Sequence, residues 1–281
     1  MRNQYFVKRL LLLTTLVFAL SCTYGQKGSL FIIGGGDRSN ALVTELIKTA
    51  GMSSSDYIVV LPMASGVPVE SVESISHQLS ELCSNQVTSF NFTKSQADNN
   101  QVWIDSVRHA KLIYVTGGDQ NRFMNVVRGT ALYTALHDAY NGGATISGTS
   151  AGAAIMSEIM ITGDEADKED AGKFTEIKTD NVITAQGMGF INKAIIDQHF
   201  VKRSRYNRLL SVLADHPDKM VIGIDESTAI IVKGKDAKVV GESQVIVITK
   251  PEDLKTVDSK KVRIKKAKLS ILTAGDNFKV K

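Results

Sequence analysis

Short, largely apolar runs alternate with longer stretches of helical period over the first half of the chain. Residues 29–33, 57–61, 111–116 and 144–147 are such runs, and residues 86–92 form a further, more polar one. Runs of this length, bounded by Gly, Pro or Asn, predict buried strands. Between them, residues 40–50, 69–83, 102–110, 121–140 and 151–157 predict helices. The first of these carries Leu42, Val43, Leu46 and Ile47 at helical spacing and ends at Gly51, which suits a left-handed stop. Repeated β-α units of this kind predict an α/β fold with a mainly parallel sheet and helices on both faces. Beyond about residue 220 the period changes. Residues 221–225, 229–233, 239–240 and 244–248 predict successive strands, read as hairpins on the sheet's edge. Residues 163–181 are polar and acidic and predict a loop. Neither an internal repeat nor a linker interrupts the pattern, so 28–281 is expected to form a single domain.

The N-terminus changes the picture of where the protein works. Arg2, Lys8 and Arg9 precede an apolar run over residues 10–20, too short to span a bilayer and suited to an export signal. Ala19-Leu20-Ser21-Cys22 resembles a lipoprotein box, although Leu is usual where Ala19 stands; simple cleavage near Gly25-Gln26 is the alternative. Residues 1–25 are thus read as a signal peptide or lipoprotein signal. The protein is expected to be exported in a bacterium, as a periplasmic protein or one anchored to the outer membrane through a lipidated Cys22. The remaining cysteine, Cys83, would then have no partner, which argues against a disulfide scaffold. Net charge is +4, and the Lys-rich stretch over residues 260–268 lacks aromatic interleaving, so no nucleic-acid partner is expected.

The candidate chemistry centres on Gly148-Thr-Ser-Ala-Gly152, a G-x-S-x-G motif with a strand before it and a helix after it. A sharp strand-to-helix turn lifts the Ser150 hydroxyl out of the sheet, and the helix N-terminus offers free N–H groups to a developing oxyanion. A serine nucleophile needs a base. His77, His109 and His137 fall within helical patterns and His216 in a turn. His199 closes the apolar run 194–196 with Asp197-Gln198 before it, a polar strand end that packing alone does not explain. The orienting acid is then sought in the acidic loop, among Asp164, Glu165, Asp167, Glu169 and Asp170. In Thr116-Gly-Gly-Asp-Gln120, the glycines let backbone N–H groups approach an oxyanion, while Asp119 and Gln120 cap the next helix or hold substrate. Arg203, Arg205 and Arg208 either recognise carboxylates by bidentate pairing or form a solvated helix face. Gly34-Gly-Gly36 lacks the third glycine of a dinucleotide fingerprint, because Ser39 stands there. With no Cys/His metal spacing and no phosphate loop, neither metal nor cofactor is expected.

Taken together, Ile33-Gly-Gly-Gly-Asp37, Thr116-Gly-Gly-Asp-Gln120, Gly148-Thr-Ser-Ala-Gly-Ala153 and Ile196-Asp-Gln-His-Phe200, continued by Arg203, Arg205 and Arg208, resemble the cyanophycinase branch of the S51 serine peptidases, which also include peptidase E. The resemblance covers about residues 28–250. It implies a flavodoxin-like fold similar to class I glutamine amidotransferases, with Ser150 as nucleophile and His199 as base. By the family's spacing it implies Glu165 as the acid, with Asp167 in reserve. It implies an oxyanion site at the N–H groups of Ala151 and of Gly118 or Asp119, and a substrate pocket lined by Gln120, Asp197, Gln198, Arg203, Arg205 and Arg208. The implied substrate is cyanophycin, a poly-aspartate with arginine on each side-chain carboxyl, or a related β-aspartyl peptide, with β-aspartyl-arginine released. A homodimer is implied by the same analogy. The competing readings are an exported aspartyl or isoaspartyl dipeptidase, a non-catalytic peptide-binding lipoprotein, and an α/β-hydrolase esterase.

Overall fold

In the computed structural model, residues 27–166 and 172–281 are described. The expected signal over residues 1–25, Cys22 with it, and Asp167, Glu169 and Asp170 of the acidic loop lie outside the described residues. The elements run β1 (Leu30–Ile33), α1 (Asn40–Ala50), β2 (Tyr57–Leu61), α2 (Pro68–Leu82), β3 (Gln86–Ser89), α3 (Lys94–Asn99), α4 (Gln101–Arg108), β4 (Leu112–Val115), α5 (Gln120–Val127), α6 (Ala131–Asn141), β5 (Thr145–Thr149) and α7 (Ala151–Ala154). A hairpin of β6 (Ile159–Glu165) and β7 (Val182–Gln186) follows. Next come β8 (Ala194–Gln198), α8 (Tyr206–Asp215), β9 (Met220–Ile224), β10 (Thr228–Lys233), β11 (Asp236–Gly241) and β12 (Val245–Glu252). The chain closes with β13 (Lys255–Thr256), β14 (Val262–Arg263), β15 (Lys266–Leu272) and β16 (Asn277–Lys279).

The main sheet has the order β16-β11-β10-β1-β5-β4-β2-β3. Its β1, β5, β4, β2 and β3 are parallel, and β10, β11 and β16 extend it as an antiparallel wing. A second sheet, β15-β12-β9-β8, has β8 and β9 parallel. The fold is therefore mixed α/β. Of the late strands expected on one sheet's edge, β10 and β11 do join it, whereas β9 and β12 build the second sheet. The apolar pattern explains the layers. Phe31, Ile33, Ile58, Val60 and Tyr114 meet α1 and α2 on one face, while Leu30, Ile32, Val59 and Ile113 meet α4, α5 and α6 on the other. Ile196, Ile222 and Val247 of the second sheet join that latter core, and their neighbours Ile195, Val221 and Ile246 turn outward to Leu209, Val212 and Leu213 of α8.

The helix expected over residues 121–140 is two helices. Gly129 takes φ 71 between them, and the Asp98 carboxylate accepts from Ala131 N at 3.2 Å to start the second. The helix after Ser150 ends early because Ser157 is drawn to the second sheet, where its hydroxyl accepts from Ile196 N at 3.0 Å. The carboxyl ends of β1, β4 and β5 bring the three glycine-bearing loops to one rim, where open α/β sheets carry their sites. Among the described residues no helix is long and apolar enough to cross a membrane.

Candidate active site

Ser150 stands between β5 and α7 at φ 54 and ψ −110, outside the ordinary regions for an L-residue. The turn closes because its flanks are bare. A Cβ at Gly148 would lie 2.1 Å from Gly152 O, and one at Gly152 would lie 2.6 Å from Val115 O. The Ser150 hydroxyl meets His199 Nε2 at 2.7 Å, and His199 Nδ1 meets Glu226 Oε1 at 2.7 Å. His199 follows β8 and Glu226 follows β9, and these strands pair in parallel with Gln198 opposite Ile224. Adjacent strand ends thus set imidazole and carboxylate side by side.

The loop after β1 holds all three segments. Its successive carbonyls Ile33, Gly34 and Gly35 accept from Ser150 N at 3.0 Å, His199 N at 2.7 Å and Ser227 N at 2.9 Å. Ser150, His199 and Ser227 each take positive φ, at 54, 50 and 54. A Cβ at Gly35 would fall 2.3 Å from His199 Cε1, and one at Gly36 would fall 2.6 Å from Glu226 Cβ. The glycine run makes room for this pair. Asp225 secures the turn below Glu226, accepting from Lys202 N at 2.8 Å and from the Ser243 hydroxyl at 2.6 Å. Burial pushes its acidity the other way, but these hydrogen bonds win and hold its pKa below the usual carboxylate value. Burial also lowers the His199 pKa, helped by the charges of Arg203 and Arg205 and opposed by the hydrogen bond to Glu226. The imidazole is neutral at pH 7 and can accept the serine proton.

A cavity of about 500 Å³ opens beside Ser150 and His199. Gly118, Asp119, Gln120, Gln198, Arg203, Arg205 and Arg208 line it, and Lys173, Asp164 and Phe174 complete its charged and apolar walls. Their roles differ. Gln120 donates to Ile161 O at 2.9 Å and Thr162 O at 2.5 Å, tying α5 to the β6 hairpin. Asp119 caps α5, accepting from Asn121 N at 2.7 Å. The Asp119 N–H is spent on Ala64 O at 2.9 Å, whereas the Gly118 N–H makes no hydrogen bond with a described residue. Arg205 donates to Gln198 O at 2.7 Å, and burial, with the Arg208 charge nearby, brings its pKa down to about 10. Arg203 is exposed at the mouth. Arg208 is buried in a bidentate pair with Asp197 and passes over the Phe174 ring at 5.4 Å.

The model of Peptidase family S51 matches residues 30–240. The chain belongs to peptidase family S51. Among curated relatives, the cyanophycinases of Trichormus variabilis and Nostoc sp. are each 29% identical over 263 residues, spanning 90% of this chain and 85% of theirs. That of Geminocystis herdmanii is 29% identical over 227 residues, spanning 79% and 80%. Among solved structures, a peptidase from an acI-B1 Actinobacterium superposes with TM-score 0.66 at 22% identity, covering 91% of this chain and 98% of its own. A putative peptidase E protein from Listeria monocytogenes gives TM-score 0.54 at 18% identity, covering 77% and 100%. This S51 chain is accordingly a peptidase, a hydrolase.

Two sequence expectations about the site of this S51 peptidase are corrected. Glu165 is not the carboxylate at His199. It is buried at the end of β6, where it accepts from Phe174 N at 3.0 Å and Asn181 Nδ2 at 2.7 Å, and so braces the wall of the cavity. Glu226 occupies the expected place. Asp197 does not line the cavity, because it is fully buried and its carboxylate is taken by Arg208 and by Gln198 N at 2.7 Å. Ala151 is likewise buried behind Ser150, with only its N–H in play. One signal for Glu226 was present: Asp225-Glu226 ends an apolar strand at the same rim as His199. The other histidines are elsewhere. His137 stacks on Phe190 and bonds Met188 O at 2.8 Å, and His77 is an exposed partner of Glu81.

Proposed function

We propose that this S51 peptidase is a serine hydrolase that cleaves cyanophycin or a closely related β-aspartyl polymer, releasing β-aspartyl-arginine. The observation that carries the reading is the hydrogen-bonded chain from Ser150 through His199 to Glu226, with both links at 2.7 Å, opening on an arginine-rich cavity. In the reaction, His199 Nε2 takes the Ser150 proton as Oγ attacks the carbonyl. Glu226 fixes the Nδ1–H tautomer and stabilises the imidazolium that forms. The N–H groups of Gly118 and Ala151 hold the oxyanion. His199 then returns the proton to the leaving amine, and water, deprotonated by the same imidazole, frees the acyl-enzyme. Arg203 and Arg205 bring positive charge to the cavity and suit an acidic acyl residue. Sequence similarity to cyanophycinases supports the choice of polymer. The parallel core of the main sheet supports a fold similar to class I glutamine amidotransferases. Export through residues 1–25, with or without lipid on Cys22, completes the proposal and is checked by cell fractionation.

Mass spectrometry of products after incubation with cyanophycin is the test. The expected product is β-aspartyl-arginine, with none formed by a folded Ser150→Ala variant. Undiminished hydrolysis by that variant would sink the serine mechanism. Cleavage of ordinary peptides, with cyanophycin left intact, would sink the substrate.

A further inference from the structure

The end of the sheets away from Ser150 is marked by lysines. β8 and β9 run in parallel from Ala194 and Met220 to Gln198 and Ile224, beside the site. Lys193 and Lys219 precede them, and so stand at the opposite face of the molecule. Register brings further lysines to the same level. β12 and β15 continue past the Ile248–Val221 pair, where Thr249 lies opposite Lys268 and Lys250 follows. β16 sets Lys279 against Asp236, next to Lys235 in the β10–β11 turn. Two hollows of about 570 and 520 Å³ lie among these residues. Lys219, Lys250, Lys268 and Lys279 line the first, Lys193 and Lys235 the second, and Lys281 both.

The positive charge there is in excess and mostly free. Lys219 has Asp218 at 3.8 Å and Glu158 at 3.9 Å, and Lys279 is paired with Asp236. Lys193, Lys235, Lys250, Lys268 and Lys281 are exposed and form no ion pair with a described carboxylate. With Lys27, eight lysines meet four carboxylates, those of Asp218, Glu158, Asp236 and the C-terminus, which leaves four positive charges over. The cations lining the hollows are all lysine, whereas arginines line the Ser150 cavity. A hydrated ammonium on a flexible stem suits a diffuse anionic surface, while a guanidinium fork suits one bound anion. The exposed large apolar side chains, Leu269 and Ile271 among them, line neither hollow, so this face attracts by charge rather than by insertion.

The chain enters the fold at the same face. Gly28 N donates to Tyr140 O at 2.7 Å, and Tyr140 and Leu30 line the second hollow. Lys27 is the first described residue, and Cys22 stands five positions before it. That length of chain spans at most about 18 Å. An anchor at Cys22 would hold this face nearest the bilayer.

We infer that the lysine face is a docking surface for an anionic phospholipid bilayer, on which the protein sits with its Ser150 cavity turned to the solution. The inference goes beyond the proposed function and needs neither its substrate nor its serine mechanism.

The test is sedimentation of the full chain with vesicles of phosphatidylcholine alone and with about 30% phosphatidylglycerol, at rising salt. Every variant keeps the same N-terminal residues, so any anchor acts equally in all of them. A lysine near an anionic surface contributes about fivefold to partitioning. Replacing Lys250, Lys268 and Lys281 together by Gln should therefore weaken binding to the anionic vesicles by about 10²-fold. Replacing Lys94, Lys202 and Lys238 by Gln removes the same charge elsewhere and should leave binding within about threefold of wild type. The wild-type preference should fade as salt shortens the screening length below about 8 Å. Equal binding to both vesicles, or equal loss in both triple variants, overturns the docking surface. Where residues 1–26 hold every variant on both vesicles, hydrogen exchange decides. Slower exchange over residues 219–221, 266–270 and 277–281 on anionic vesicles alone upholds the inference. Unchanged exchange there, or slowing around Gly118 and Ser150 instead, overturns it.

Discussion

Replacing Gly35 by Ala separates the geometry of the site from the stability of the fold. The added Cβ would lie 2.3 Å from His199 Cε1 and 2.5 Å from Nε2. Carbon atoms in contact rest roughly 3.5–4 Å apart, so the ring must retreat by about 1 Å or more. The Ser150–His199 bond of 2.7 Å then stretches past hydrogen-bonding range. Misplacement on that scale costs about 10²-fold in rate, and complete loss of the base on the order of 10⁶-fold. Ala at φ +109 also costs roughly 1–3 kcal/mol, or about 2–10 °C in Tm for a chain of this size. Gly51→Ala supplies the control. That glycine also has positive φ, at +57, but no atom lies within 4 Å of its Cβ position. We expect Gly51→Ala to lower Tm by a few degrees with kcat within twofold of wild type, and Gly35→Ala to lower kcat by about 10²–10⁴ at a temperature well below its own Tm. Steady-state kinetics and thermal denaturation of both variants settle it. A Gly35→Ala enzyme within threefold of wild-type kcat would refute the claim that this loop exists to admit the imidazole.

Glu226→Gln should cost on the order of 10²–10⁴ in kcat with little change in Tm, whereas Glu165→Gln should keep kcat within about tenfold and cost about 1–2 kcal/mol in urea unfolding; the reverse order would restore Glu165 as the acid. The pH profile of kcat/KM should fall on the acid side as His199 becomes protonated. Because burial holds its pKa below the usual 6.5, the loss comes below that pH; an acid limb above 6.5 contradicts the assignment. Arg205 stays cationic until its pKa of about 10, so KM for acidic substrates should rise only as pH climbs through that value, and a rise below pH 8 would point to another group. Arg208→Met leaves the fully buried Asp197 carboxylate with Arg205, 3.7 Å away, as its nearest cation. The expected loss is about 3 kcal/mol, at the low end for a broken buried pair, and Arg208→Met with Asp197→Leu should recover most of it; no recovery would show that packing, not charge, sets the loss.

Much of this architecture is legible in the chain, and the illegible parts share a cause. Local pattern gave β1, β2, β4, β5 and α1 nearly to the residue, because apolar runs, Gly51 and the glycine loops are local signals. Ser150 and His199 stood out for the same reason, each being a polar break at the end of an apolar strand. The acid did not. The family resemblance pointed before His199, to Glu165, while sheet pairing brings in the end of β9 beyond it. Chain order carries no information about which strand ends are neighbours. Asp197 misled in the opposite way. A carboxylate at a strand end resembles a site residue, and only its pairing with Arg208, on the following helix, shows that it supports the wall. Nor could period alone tell β9 and β12, which form a second sheet, from β10 and β11, which extend the first.

The loop after β1 joins these threads. Alone, Gly34-Gly-Gly36 reads as a defective nucleotide fingerprint. In the fold its consecutive carbonyls, from Ile33 to Gly35, fix the backbones of Ser150, of His199 and of Ser227 beside Glu226. Each of those three anchored residues has a strained positive φ, and each comes from a different part of the chain. Strain of that kind persists only where surrounding structure over-determines it. Here the determinant is one stretch of backbone without side chains beyond Ile33, so the three segments can approach it together. Any side chain at Gly35 or Gly36 would have to occupy the volume of the imidazole or of Glu226. The site is therefore built around a strip of bare backbone, and the glycines are as much a condition of its geometry as Ser150, His199 and Glu226 themselves.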